Sequence, residues 1–256
     1  MTTMGVARPD QGAYLLRTAA MDAGRAYKEE LLRLLDPRPG QTVLDVGCGP
    51  GTDLPALAER VGPEGLVIGV DRDPAMLAEA RRRAEGLPRV EVRRGDAHAL
   101  PVTPGSVDLA KTDRVLLHVD DPAAALASLH TATRPGAVVG LVEPDWETLI
   151  VDAPDIGTSR AFTRFVVEDT VRNPTVGRAL GRLAAQAGFT VDTVHATTPV
   201  LRDAETADYT LGLGRNLERA VAAGHIEAER ARRWFAGLSE GPFQASFTLF
   251  TVLARR

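Results

Sequence analysis

The chain has 256 residues, 44% hydrophobic and 25% charged, a balance that fits one globular core with an embellishment and excludes a disordered or fibrous protein. Its formal net charge is −4 and its arginines are scattered along the sequence, so it lacks the basic footprint that a nucleic acid demands. A single cysteine, Cys48, excludes an internal disulfide and a multi-cysteine metal site.

No apolar run approaches the roughly 18 residues of a membrane span. Met1–Gly24 lacks the apolar segment of a signal peptide, so the expected location is cytoplasmic. Leu15, Leu16, Ala19 and Ala20, then Leu31, Leu32 and Leu35, recur at helical spacing. They predict a helix or helix pair over about 11–36, which serves either as a cap on the fold or as a lid over a ligand.

The first strand, Thr42–Val46, is apolar apart from Asp45 and runs into Gly47, Gly49 and Gly51. Glycine permits torsions and approach distances that a Cβ forbids, so the chain makes room here for a ligand against its backbone. A dinucleotide site would show G-x-G-x-x-G, yet Thr52 stands where the last glycine belongs. Asp45 just ahead of the loop would repel a pyrophosphate and suit an ammonium group. The segment resembles motif I of the class I S-adenosylmethionine-dependent methyltransferases, which implies that Asp45, Gly47, Gly49 and Gly51 surround the methionine part of that cofactor. Cys48 reads as a small filler within the loop.

A helix over Thr52–Arg60 follows, then a second buried strand, Leu66–Val70, ending at Asp71. A carboxylate there can accept both ribose hydroxyls, in a dinucleotide site as well as in this one. Asp73-Pro74 supplies an N-cap and a first-turn proline for a helix through Ala84. The third strand, Val90–Arg93, leads to Gly95-Asp96-Ala97. The resemblance implies that Asp96 accepts from the adenine amino group while the N–H of Ala97 reaches the ring. Arg72 and Thr112 complete the implied cofactor bed.

The fourth strand, Val107–Ala110, leads into the segment Lys111–Pro122, with His118 at its centre and a second Asp-Pro cap, Asp121-Pro122, before a helix to about Thr133. Lys111–Pro122 resembles the corresponding segment of the small-molecule methyltransferases that include the ubiquinone- and menaquinone-type enzymes. Arg134-Pro135-Gly136 matches their turn before the fifth strand, here Ala137–Glu143, with Thr133 and Ala137 as departures. The resemblance covers about Leu35–Glu143. Beyond it the reading predicts an insert over 145–173 with a helix Ser159–Val171. A sheet-packing helix Pro174–Ala187 and a sixth strand Phe189–Ala196 come next. Two helices, Ala204–Ala223 and Ile226–Leu238, then precede a last strand Gln244–Ala254.

The expected architecture is a single α/β unit over 1–256, with a cofactor-binding core at 41–143. It is a Rossmann-like, doubly wound, seven-stranded sheet whose last strand is antiparallel, with a helical N-terminal lid and helical cap inserts at about 145–173 and 202–241. The expected activity is methyl transfer from S-adenosylmethionine to a small-molecule acceptor, by in-line displacement under the cap. Such a reaction needs placement and exclusion of water, and a base only where the nucleophile starts protonated. His118 and Asp145 are the candidate bases, Trp146 and Tyr209 the candidate substrate contacts, and Glu143 an unassigned acid. No metal, membrane or nucleic acid is expected, and a homodimer is compatible with the sequence. An NAD-dependent oxidoreductase, a non-methylating cyclisation or isomerisation, and a non-catalytic cofactor-binding protein are the rivals.

Overall fold

A computed structural model describes Met4 and residues 10–256, so the leader-free reading of Met1–Gly24 lies partly outside the described residues. Two helices open the described chain, α1 (Gln11–Ala20) and α2 (Asp22–Leu35). Then β1 (Thr42–Val46), α3 (Leu54–Val61), β2 (Leu66–Asp71), α4 (Pro74–Ala84) and β3 (Val90–Arg94) alternate, followed by β4 (Val107–Asp113) and α5 (Pro122–Ala132). Both Asp-Pro devices act as expected: Asp73 accepts from the N–H groups of Ala75 and Met76, and Asp121 from those of Ala123 and Ala124.

The second half comprises β5 (Thr133–Val151), α6 (Ile156–Phe165) with a π-helical turn at Val166–Thr170, α7 (Val176–Gln186), β6 (Thr190–Thr197), β7 (Val200–Leu201), α8 (Ala204–Leu211), α9 (Leu213–Ala222), α10 (Ala228–Gly237) and β8 (Ala245–Arg255). The strands form one sheet in the order β3-β2-β1-β4-β5-β8-β6, with the short β7 paired to β8. The path has the expected seven strands, and the two-residue β7 at its side makes an eighth. Strands β1 to β5 are parallel, and β8 runs antiparallel to β5 and β6. Among the described residues no helix is long and apolar enough to cross a membrane.

Alternate residues of each central strand bury against different layers, as period-2 geometry requires. Val43, Val67 and Leu109 pack with Leu31, Leu35, Leu54 and Leu57 of α2 and α3. Leu44, Val46, Ile68 and Ala110 pack with Leu126, Leu129, Leu180 and Ala184 of α5 and α7. A further core, built on Leu149, Phe162, Phe165, Leu213, Leu217 and Trp234, holds the cap together.

The cap departs from expectation in origin. Strand β5 does not end at Glu143 but continues through Asp145 to Val151, and Ile150 and Val151 pair with Ser246 and Ala245 after a register shift. Residues 145–151 are therefore strand, and the cap grows from an extended β5–β8 ribbon rather than from a loop. The Arg134-Pro135-Gly136 break survives only as an irregularity in the β4–β5 register. The expected helix Ala204–Ala223 is two, because Gly212 turns the chain at φ +64.

Candidate functional site

The glycine loop is fastened before any ligand enters. The N–H groups of Gly47 and Cys48 donate to the carbonyl of Val70, at 2.7 and 3.0 Å, and all three glycines have positive φ, at +68, +54 and +77. A Cβ on Gly47 would lie 2.3 Å from Cγ2 of Val115, and one on Gly51 would lie 2.9 Å from Cα of Ala80. Two of the three glycines thus answer to the protein's own packing as well as to ligand approach. At Gly49 a Cβ would, among the described residues, meet only Leu15 of α1, at 3.5 Å, so the first helix lies over the loop. Cys48 is buried and packs toward Gly69; burial holds its thiol protonated, which suits a filler and not a nucleophile.

The two acids at strand ends are oriented. Asp71 Oδ2 accepts from Gly49 N–H and Oδ1 from Asp73 N–H, both at 2.9 Å, so the expected ribose acid and the loop form one unit. Asp96 is exposed, and its Oδ1 accepts from the backbone N–H of His98 at 2.9 Å and from His98 Nδ1 at 2.5 Å. Those two contacts hold its pKa below the ordinary carboxylate value. The other ring nitrogen, Nε2, accepts from Asp121 N–H at 3.3 Å. His98, which sequence reading passed over, therefore steers Asp96 through Nδ1 while Nε2 faces Asp121 N–H. Arg72 is exposed and acts electrostatically on both Asp96 and His118, and Ala97 stands half-buried beside Asp96.

Asp45 has a partner the sequence did not reveal. Register sets it beside Lys111 on β4, and both are 1% exposed. Lys111 Nζ lies 2.9 Å from Asp45 and 2.7 Å from Asp53, while Lys28 Nζ of α2 lies 2.8 Å from Asp53 and 2.7 Å from Asp113. The Tyr27 hydroxyl donates to Asp113 at 3.1 Å, and Arg114 Nε reaches it at 3.3 Å. Burial raises Asp45 to about 6 against the pull of Lys111. Asp113 is held low by Lys28, Arg114 and Lys111 in spite of burial. Asp45 is thus part of a buried ionic floor under the loop rather than a free anion awaiting an ammonium.

After β4 the chain turns through Arg114, at φ +58, whose N–H donates to Val142 O at 2.8 Å. Glu143, wholly buried, accepts from the N–H groups of Val115, Leu116 and Leu117 at 2.8, 2.5 and 3.3 Å. Burial pushes its carboxyl up to about 8, against those three donors. Glu143 is therefore an anchor for the segment bearing His118, with Asn173 holding the other side by donating to Leu116 O and Val119 O at 2.8 Å. His118 is exposed, and its pKa is lowered first by desolvation of the ring and then by Arg72 and Arg114. Among the described residues Thr112 Oγ1 is buried with no hydrogen-bond partner, as is Trp146 Nε1, whose ring stacks on Phe247 at 5.1 Å.

Asp145 departs from its expected role. It is fully buried, and Arg178 grips both its oxygens, Nη2 meeting Oδ1 at 2.9 Å and Nε meeting Oδ2. That pairing makes it a structural acid at the point where β5 turns toward the cap. Tyr209 lies between cap and lid: its ring is 6.0 Å from Tyr14 of α1, and the Arg17 guanidinium sits 4.0 Å over it.

A parallel sheet with strand order 3-2-1-4-5, an antiparallel pair closing it, and a strained glycine loop beneath two strand-end acids define a class I S-adenosylmethionine-dependent methyltransferase. The methyltransferase-domain family profile matches residues 37–172, over half of the chain, and the chain belongs to that family. It is 53% identical over 247 residues to an uncharacterized 37.1 kDa protein in transposon TN4556 of Streptomyces fradiae, covering 96% of this chain and 72% of that one. It is 38% identical over 137 residues to nocamycin O-methyltransferase of Saccharothrix syringae, covering 53% of this chain and 49% of that enzyme. The chain thus spans about half the length of that methyltransferase and of the demethylmenaquinone methyltransferases it matches. In fold it resembles a SAM-dependent methyltransferase from Aquifex aeolicus, with TM-score 0.57 and 18% identity over 94% of this chain and 99% of that one. It also resembles the [4+2]-cyclase SpnF, with TM-score 0.59 and 18% identity over all of this chain and 88% of that one.

Proposed function

We propose that the chain transfers a methyl group from S-adenosylmethionine to a small-molecule acceptor held between the carboxyl edge of the sheet and the helical cap. The observation that carries this reading is the docking of Asp71 on the Gly49 N–H, which joins a cradle of three left-handed glycines to an acid with lone pairs left for two hydroxyls. The residues fit the cofactor: Gly47, Gly49 and Gly51 for the amino-acid end, Asp71 for the ribose, Asp96 and Ala97 for the adenine. The buried, unpartnered Thr112 Oγ1 leaves one hydroxyl to be satisfied by a ligand. When bound, S-adenosylmethionine supplies an electrophilic methyl group on a sulfonium, so the protein need not generate an electrophile.

The chain's own contribution is then placement and dryness. Leu15 covers the loop from α1, and the Glu143 and Asn173 clamps fix the segment that ends at His118. His118, whose pKa is lowered by desolvation and by Arg72 and Arg114, accepts the acceptor's proton where the nucleophile starts protonated.

Calorimetric titration with S-adenosylhomocysteine tests the reading. The folded protein is expected to bind it, and Asp71→Ala to lose two ribose hydrogen bonds of about 1–3 kcal/mol each. No binding by folded protein overturns the proposal. Fold likeness to a cyclase keeps a non-methylating reaction as a second reading. Product mass separates the two: gain of one CH2 for methyl transfer, no change for cyclisation.

A further inference from the structure

Arginines on α1, at the start of α9 and at the end of β4 differ from two others on the cap side in what they are paired to. Arg178 and Arg230 each hold a carboxylate, of Asp145 and Asp155. Among the described residues Arg17 and Arg215 have no ion pair, and residues 1–9 contain no acidic side chain that could supply one. Arg114 reaches only Asp113, at 3.3 Å, whose oxygens are already engaged by Lys28 at 2.7 Å and Tyr27 at 3.1 Å. The acid nearest in sequence on α8, Asp208, is buried with Oδ1 accepting from Gly214 N–H at 2.8 Å.

Arg17 sits on an aromatic pair whose other ring is acted on by Arg114 and Arg215. Tyr14 and Tyr209 face each other at 6.0 Å, Arg17 lies 4.0 Å over the Tyr209 ring, and Tyr14 OH donates to Thr210 O at 3.0 Å. Arg114 and Arg215 both act on the Tyr14 hydroxyl electrostatically. Stacking on a ring face leaves the edge of a guanidinium and its N–H fork free. Arg114 is also rigidly set: its backbone is left-handed, tied to Val142 O, and followed by three N–H groups clamped by Glu143. Val115, the next residue, is the side chain that packs on Gly47. The backbone that carries the cation is therefore fixed beside the glycine loop, and its guanidinium lies 5.7 Å from the Tyr27 ring of α2.

We infer that these side chains form the acceptor's anion site: the acceptor carries a carboxylate or phosphoryl group, received by Arg17, Arg114 and Arg215 against Tyr14 and Tyr209. The inference rests on the methyl-transfer reading above and names its substrate class. Guanidinium forks match the two oxygens of either anion, and Arg17 and Arg215, which have no ion pair among the described residues, are stabilised when an anion arrives beside Arg114. The anion is a binding handle, and no bond to it forms or breaks.

The cofactor's own carboxylate has the same chemistry, so the test separates the two. Protein saturated with S-adenosylhomocysteine is titrated calorimetrically with pyrophosphate, with 4-hydroxybenzoate, and with the neutral methyl ester of the latter. Wild type is expected to bind at least one anion at millimolar concentration or better and to bind the ester at least tenfold more weakly than the acid. The double variant Arg17→Gln/Arg215→Gln is expected to lose at least tenfold in anion affinity and to keep its S-adenosylhomocysteine affinity within twofold.

Absence of anion binding, or equal binding of acid and ester, overturns the inference and leaves the methyl-transfer reading intact. A tenfold loss of S-adenosylhomocysteine affinity in the double variant also overturns it, by assigning the arginines to the cofactor. Failure of wild type to bind S-adenosylhomocysteine overturns the methyl-transfer reading instead. Should the double variant not fold, Arg17→Gln, on an exposed helix face, carries the same comparison.

Discussion

Lys111→Met removes the ammonium that lies between Asp45 and Asp53 while keeping the length of the side chain. Its Nζ is 2.9 Å from one carboxylate and 2.7 Å from the other, and the three side chains are at most 10% exposed. At an effective dielectric of about 20, each contact is worth roughly 6 kcal/mol of gross attraction. Most of that offsets the desolvation of the ions, so the net quantity that matters is the penalty for stranding buried carboxylates, about 3–5 kcal/mol.

The loss carries a pH signature. Burial has already raised Asp45 to about 6, and without Lys111 it rises further. A carboxyl whose folded pKa exceeds its unfolded value favours the fold when protonated, and that advantage is lost as pH rises through the folded pKa. The deficit of Lys111→Met, from urea denaturation, is therefore expected to be larger at pH 8 than at pH 5. Adding Asp45→Asn should restore part of it. A deficit under about 1 kcal/mol at pH 8, or one that grows toward acid, would refute the buried floor as described.

Gly47→Ala should cost about 1–2 kcal/mol for the left-handed backbone, and more for the clash with Val115, so a thermal midpoint equal to wild type would contradict the loop packing. Arg178→Gln leaves Asp145 buried without its partner and should cost about 1–3 kcal/mol, with S-adenosylhomocysteine affinity unchanged. Lost affinity at full stability would return Asp145 to the ligand site. In an NMR titration His118 should protonate below the pH of a free imidazole, and Arg72→Gln should shift that midpoint upward; no shift would remove Arg72 from its surroundings.

The cofactor half was legible because its signals are local. A strand running into alternating glycines, and acids at strand ends, are fixed by neighbours within a few residues, and all the strand starts from β1 to β4 fall where the pattern puts them. What escaped depends on contacts distant in sequence. Asp45 read as a ligand acid because nothing local announces Lys111, which only the β1–β4 register brings alongside. Asp145 read as a base for the same reason, with Arg178 being 33 residues away. His98 could have been found: a histidine two residues after an acid that caps a turn has few other uses. The cap was misplaced at its root because a strand that outruns one neighbour and continues with the other past a register shift looks, in sequence, like a strand that ends.

The ionic floor has a consequence for chemistry performed on the protein. Of its 30 basic side chains only Lys28 and Lys111 are lysines, and both ammonium groups are taken into that floor. The outer face of the described chain offers guanidinium groups to a solvent-borne reagent and scarcely a side-chain amine. The Lys28 side chain is 12% exposed, and its pKa is raised by Asp113 and Asp53, so it reacts only when α2 lifts away. Acylation of that one residue, followed by mass, is then a clock for the opening of the N-terminal helices.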